Sequence, residues 1–220
     1  MIRDAVTLAR KDLLLEVRRR EVVLAMVQYV MSTLVIVHFA SAGAGTSEKA
    51  AAGMLWAAIL FTAVLSLNRC FTADQEEGAL DALQLAPIDR AAIWLGKVFA
   101  QVAFLTIMEA VALPAFWLFF FGERGPDPLP VIAAVALANV GLAAVGVLVA
   151  GLAQATHARD VLLPVLFLPL SIPLVIGAVT ATLGAFPGGD SSVRALGSLV
   201  VFNLLFTSLA WGTFEHLSGE

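Results

Sequence analysis

Between Val131 and Ala153 the chain reads VIAAVALANVGLAAVGVLVAGLA, an apolar run without a charged residue. A hydrocarbon core of about 30 Å requires roughly 20 apolar helical residues, because in lipid every backbone amide must be hydrogen-bonded inside the helix. Five more runs of this kind are found at residues 22–40, 50–67, 98–121, 161–183 and 195–214. The sequence therefore predicts an all-α, polytopic membrane protein with six transmembrane helices.

The composition of the chain agrees with this prediction. Of the 220 residues, 60% are hydrophobic and 14% are charged, and the mean hydropathy of +0.92 lies outside the range of soluble domains. Cys70 is the only cysteine, so no internal disulfide or CxxC redox pair can form. The three histidines are scattered, and Gly96-Lys97 lacks the remainder of a nucleotide-binding loop. We predict no catalytic residue, no metal site and no nucleic-acid partner.

Positively charged residues are distributed unequally between the two sides of the predicted bundle. The N-terminal arm and the second loop, which lie on one side, hold nine of them: Arg3, Arg10, Lys11, Arg18, Arg19, Arg20, Arg69, Arg90 and Lys97. The loops of the opposite side hold three: Lys49, Arg124 and Arg194. Because Lys and Arg accumulate on the side that is not translocated, we expect both termini in the cytoplasm.

Residues 1–21 form the first predicted unit, an amphipathic helix that lies in the membrane interface. Its apolar side recurs every three or four residues, at Ile2, Val6, Ala9, Leu13 and Val17. Arg10 and Lys11 belong to its charged faces, and with Leu13 they are the residues we assign to the interface. An ordinary solvated helix or a frayed basic tail is the alternative. Residues 22–214 form the six-span unit, which includes the second loop, and residues 215–220 form a short cytoplasmic tail.

The second loop, residues 69–97, is the segment in which we expect function to be decided. Thr72-Ala-Asp-Gln75 has the capping-box pattern of a helix start, and Pro87 ends that helix. Leu80 and Leu83 share one side of it, while acidic residues form another. A short amphipathic helix of this kind suits a groove on a partner protein. A helix resting on the bilayer surface is the alternative.

Four residues of the predicted spans are candidates for a functional role. Glu109 falls near the middle of the third span, where a lone charge is costly, and an interhelical hydrogen bond is the preferred role over ligand contact or a proton site. Pro169 and Pro173 can kink or break the fifth span, which produces either a gate or a static bend. His38, near the outer end of the first span, fits a polar interface position better than a haem contact.

Several motifs together resemble the CcmB family. They are Gly53-Met-Leu-Trp56, Leu67-Asn-Arg69 followed by Phe71, then Asp74, Gly78-Ala-Leu80, Leu83, Leu85, Pro87, Gly96-Lys97, and Leu168-Pro-Leu-Ser-Ile-Pro173. The six-span layout is similar along the whole chain. Asn68 departs from the family pattern, in which Glu is frequent at this position.

The resemblance implies a permease subunit of the ABC-2 class that acts in cytochrome c maturation, in a bacterial cytoplasmic (inner) membrane. It places a CcmA-like ATPase subunit on the second loop, at Asp74, Gly78, Leu80, Leu83 and Pro87. It also implies CcmC-like and CcmD-like membrane subunits, a CcmE-like haem chaperone and two copies per complex. Haem is then a handled ligand and not a bound cofactor, and ATP acts through the partner subunit. ATP hydrolysis would drive either haem export or release of the loaded chaperone.

Two other functions compete with this one. A general ABC-2 exporter permease for another substrate would share the arm, the six spans and the docking loop. A membrane scaffold without transport activity would not need a seat for an ATPase, so co-purification of an ATPase separates it from the other two.

Overall fold

The computed structural model describes residues 2–18, 20–41, 47–70, 90–121, 125–154, 159–189 and 192–217. Within these ranges the chain forms seven α-helices and one π-helical segment. The α-helices are α1 (Ile2–Arg18), α2 (Arg20–Ser41), α3 (Glu48–Arg69), α4 (Arg90–Phe116), α5 (Pro128–Gln154), α6 (Arg159–Gly184) and α7 (Ser192–Leu217), and the π-helical segment Trp117–Phe121 continues α4. The predicted all-α class is confirmed.

Six of the described helices are long and apolar enough to cross a membrane. These stretches are Val23–Ala40, Glu48–Arg69, Ala91–Phe120, Pro128–Ala153, Val161–Gly184 and Ser192–Thr213. They match the six predicted spans one for one. The third differs most, because it begins seven residues before Val98. Lys97 lies inside this helix, and an ion pair to α1, described below, accommodates its charge.

Helix α5 is the centre of the bundle, and it packs against α3, α4, α6 and α7. The side chains of Ala134, Ala138 and Ala144 are fully buried along it, and Gly141 is buried between them. Small residues let helix backbones approach closely, which is the main source of packing energy where lipid removes the hydrophobic driving force. These small residues therefore form a face of α5 on which its neighbours pack. Helix α2, by contrast, is mostly exposed at the side of the bundle.

Buried polar side chains connect the helices across this apolar core. The Trp56 indole N–H donates to Thr182 Oγ1 at 2.9 Å and links α3 to α6. The Asn203 amide donates to the carbonyl oxygen of Leu137 at 2.7 Å and links α7 to α5. Each bond satisfies a donor that would otherwise be left in an apolar interior, and interhelical bonds of this kind stabilise by roughly 0.6–2 kcal/mol each.

Helix α1 lies against the beginning of α4. Ala5 is fully buried there, and a Cβ added at Gly96 would lie 2.9 Å from Leu8 Cβ and 3.0 Å from the Ala5 carbonyl oxygen. The two helices cross so closely that glycine is required at this point of α4. The apolar side that the sequence predicts is only partly covered, because Ile2 and Val6 are exposed.

The prolines of the fifth span do not interrupt α6, which is helical from Arg159 through Pro164, Pro169 and Pro173 to Gly184. Pro169 and Pro173 both lie on its exposed side. A proline deletes one backbone hydrogen bond, and the helix tolerates this loss here without a break. A gating role for Pro169 and Pro173 stays a prediction.

Candidate functional site

A polar site of the described chain lies where α3 ends and α4 begins. Lys97 Nζ lies 2.8 Å from Asp12 Oδ2 and donates to the carbonyl oxygen of Cys70 at 3.0 Å. The Lys97 side chain is only 6% exposed. An ammonium group this deeply buried requires an opposite charge and a further acceptor, and Asp12 and the α3 terminus provide them. Lys97 therefore joins three helices at one point.

A second ion pair lies beside the first. Arg69 Nε donates to Glu16 Oε1 at 3.3 Å, so α1 also contacts the last residue of α3. We call Asp12, Glu16, Arg69 and Lys97 the charged cluster. Three residues before Arg69, the Ser66 hydroxyl donates to Gln101 Oε1 at 3.0 Å and links α3 to α4.

The charged cluster borders a small cavity of about 40 Å³. Leu13 and Phe104 provide apolar walls, and Cys70 lies at the same cavity. Cys70 is not in a disulfide, and the residue is partly exposed. Lys11 Nζ lies 3.1 Å from the other carboxylate oxygen of Asp12, on the outer side of the cluster.

The charged cluster therefore connects α1 to both helices that flank residues 71–89. The residues that we assign to ATPase docking, Asp74, Gly78, Leu80, Leu83 and Pro87, lie outside the described part of the chain. Of the residues assigned to the interfacial helix, Arg10 is exposed, Lys11 pairs with Asp12, and Leu13 packs toward Met26, Phe104 and Met108.

The buried carboxyl group of Glu109 forms a separate polar site in the middle of the bundle. The Asn139 amide of α5 donates to Glu109 Oε2 of α4 at 2.5 Å, and both residues are buried. The other carboxyl oxygen, Oε1, has no hydrogen-bond partner in the described chain. Glu109 also lines a cavity of about 10 Å³ between α2, α3 and α4, about the size of one water molecule.

His38 lies at the end of α2 beside aromatic rings of the π-helical segment. Its ring centroid is 5.4 Å from that of Phe119 and 5.7 Å from that of Phe120. Phe120 in turn stacks on Phe116 at 4.6 Å. The structure thus places His38 in an aromatic contact between α2 and the end of α4.

Pro173 borders an open groove between α6 and α7 at the end of the bundle opposite the charged cluster. Thr180, Arg194 and Ser198 lie along the same groove. Asn68, the residue that departs from the family pattern, lies at another groove, between α2 and α3.

Sequence reasoning did not identify Asp12, Glu16, Ser66 or Gln101 as site residues. All four are single polar residues within helical segments, and their partners are 35 to 85 positions away along the chain. One signal was available. Gly96-Lys97 stands out as a motif, and in the structure Gly96 allows α1 to approach while Lys97 binds it.

These helices and their buried polar links define a multi-pass helical membrane protein with an N-terminal helix bound to the end of the bundle. Comparison with known families gives the particular group. A family model described as "CcmB protein" matches residues 3–215, nearly the whole chain. The chain belongs to the CcmB family.

Curated relatives support the same assignment. A protein named "Heme exporter protein B" of Paracoccus denitrificans is 31% identical over 167 residues, which is 76% of this chain and 75% of the relative. A protein of the same name in Bradyrhizobium diazoefficiens is 28% identical over 211 residues, or 94% of this chain and 92% of the relative. In Pseudomonas aeruginosa another protein of that name is 30% identical over 161 residues, covering 72% and 71%.

Proposed function

We propose that this chain is the membrane permease subunit of a haem exporter that acts in cytochrome c maturation. The observation that carries the proposal is the family match over residues 3–215 together with relatives whose printed name is "Heme exporter protein B". Six helices able to span a membrane suit a permease subunit. Haem is the cargo or handled ligand in this proposal, and this chain hydrolyses nothing.

ATP is hydrolysed by a separate CcmA-like subunit, which docks on the second loop. Asp74, Gly78, Leu80, Leu83 and Pro87 form its seat, because the amphipathic pattern of this segment suits a groove on a partner. The position of the loop supports this, since it lies between α3 and α4, whose ends the charged cluster joins. CcmC-like and CcmD-like subunits and a CcmE-like chaperone complete the complex, with two copies of this chain.

ATP hydrolysis drives either the export of haem itself or the release of the haem-loaded chaperone. The tryptophans stand apart in the sequence, at Trp56, Trp94, Trp117 and Trp211, and do not form the tryptophan-rich haem signature of CcmC-like proteins. Trp56 and Trp94 are fully buried in the packed core. We therefore favour release of the haem-loaded chaperone.

The test is deletion of the gene with two measurements in the same cells. Covalent haem in c-type cytochromes is stained, and the haem load of the chaperone is measured. Loss of cytochrome haem with a chaperone that stays loaded is the expected result. Normal values of both would overturn the haem assignment and leave a general ABC-2 exporter permease for another substrate. Complementation with the intact gene is the control.

A further inference from the structure

Helix α1 makes contacts with the chain at both ends of the second loop. A helix that only rests on the membrane surface does not need such contacts. Lys97 stands near the start of α4 and binds Asp12 of α1 and the Cys70 carbonyl at the end of α3. Arg69, the last residue of α3, binds Glu16 of α1 one helical turn further along. Residues 71–89 connect Cys70 to α4, so α1 contacts the chain on each side of them.

Three properties of these contacts favour a mechanical link over a chance surface pair. The Lys97 side chain is almost fully buried, and removing one partner of a buried ion pair leaves the other charge without compensation. Gly96 brings the α1 backbone to the α4 backbone one residue before Lys97. Asp12 and Glu16 are four residues apart, so they project from the same face of α1.

We propose that Asp12 and Glu16 are positioning residues that make α1 move with the two ends of the second loop. A movement of residues 71–89 reaches the spans through α3 and α4 directly, and it reaches the interfacial helix through the charged cluster. This deepens the proposed function, because it rests on an ATPase subunit that pulls on residues 71–89. The N-terminal helix is then a moving part of the permease and not a passive anchor.

The first experiment measures whether the charged cluster closes the cavity at Cys70. Cys70 is the only cysteine, so its rate of alkylation by a small thiol reagent can be followed in the whole chain, in membranes with its partner subunits. In Asp12→Asn the rate should rise about tenfold, within the range expected for groups of one salt-bridge network. Lys97→Arg should keep the slow rate, because arginine retains the charge.

Lys11→Gln is the matched control, since Lys11 pairs with the same carboxylate from the outer side. It should leave the alkylation rate unchanged. Equal rates in wild type and Asp12→Asn would overturn the proposal. If Asp12→Asn is absent from the membrane, the double variant Asp12→Asn/Lys97→Met replaces it, because it removes both charges of the ion pair together. The same tenfold rise is expected from it, and the same equality would contradict the proposal.

The second experiment measures transmission itself. Thr7 is exposed on α1, and its hydroxyl bonds only within its own helix in the described contacts, to the Arg3 carbonyl oxygen at 2.8 Å. A fluorescent probe on Thr7→Cys, in a Cys70→Ser background, reports the environment of α1. Addition of a non-hydrolysable ATP analogue to the complex should change the probe signal when the charged cluster is intact. The change should be lost in Asp12→Asn/Lys97→Met and retained in Lys11→Gln.

The two proposals fail in distinguishable ways. If no ATPase subunit co-purifies with the unmodified chain, the proposed function fails. If the ATPase subunit co-purifies equally with both forms, and the probe responds to nucleotide equally with and without the charged cluster, only the mechanical link fails. Loss of the probe response with normal ATPase binding supports the link, because a purely structural role would not separate the two readouts.

Discussion

The structure accommodates two buried ionisable side chains in different ways. Lys97 lies near the end of the bundle and is compensated by Asp12 and by a backbone carbonyl. Glu109 lies within the apolar core and has one amide, that of Asn139, as its hydrogen-bond partner. The charge of Lys97, which has two partners, can link helices. The Glu109 carboxyl has one oxygen without a hydrogen-bond partner in the described chain, and it is tolerated chiefly because Asn139 and a small cavity surround it.

The contact between Glu109 and Asn139 gives the first prediction. In Glu109→Gln the side chain keeps its shape and its bond to Asn139, so the complex should assemble, with a stability change within about 1 kcal/mol. Asn139→Leu leaves the buried carboxyl without its donor and should cost about 1–3 kcal/mol. Thermal unfolding in detergent measures both. A stable, assembled Glu109→Gln complex without activity would show that the carboxyl group itself has a functional role.

At the element scale, the bundle depends on how closely its helices approach α5. A Cβ added at Gly141 would collide with Leu174 Cδ1 of α6 and with Asn203 Oδ1 of α7. The Asn203 amide also donates a hydrogen bond of 2.7 Å to the Leu137 carbonyl oxygen of α5. One small residue thus sets the approach of two neighbouring helices, and the sequence pattern shows the small residue but not its two neighbours.

The second prediction concerns this approach. Gly141→Ala should destabilise the protein by about 1–3 kcal/mol, because both Leu174 and Asn203 must move in a packed interior. Gly53→Ala in α3 is the matched control, since an added Cβ there meets nothing within 4 Å. It should be neutral or stabilise by about 0.5–1 kcal/mol through helix propensity. Unfolding temperatures measured side by side that ranked the two variants in the opposite order would contradict this account.

The second loop gives the third prediction, which concerns an element outside the described part of the chain. Leu83→Asp should weaken capture of the ATPase subunit by about thirtyfold, the loss expected when a central apolar anchor becomes charged. Gln84→Asp is the control, because it places the same charge on the acidic side of the same segment. A pull-down from membranes measures both variants. Equal capture by Leu83→Asp and wild type would exclude this seat.

At the scale of the whole molecule, the two ends of the bundle differ in character. One end carries α1, the charged cluster and the second loop, and the other carries the groove bordered by Pro173 and Arg194. The distribution of Lys and Arg predicts which end faces the cytoplasm.

The fourth prediction tests that orientation. Cys70 follows the last residue of α3, on the side of the charged cluster, and it is the only cysteine. A membrane-impermeant thiol reagent should label it in inverted membrane vesicles and not in intact cells. A single cysteine at the exposed residue Val193, in a Cys70→Ser background, should show the opposite pattern. Labelling of Cys70 in intact cells would contradict the predicted orientation.

The amino-acid sequence alone determines the number, type and approximate limits of the spans, because apolar length is a local property that each segment carries by itself. It also indicates the small-residue face of α5 and the family. Only the tertiary structure decides which polar residues meet: Lys97 with Asp12, Glu109 with Asn139, and Trp56 with Thr182. Each pair joins side chains that are distant in sequence. Whether two such side chains come into contact depends on the rotation of each helix about its own axis in the packed bundle.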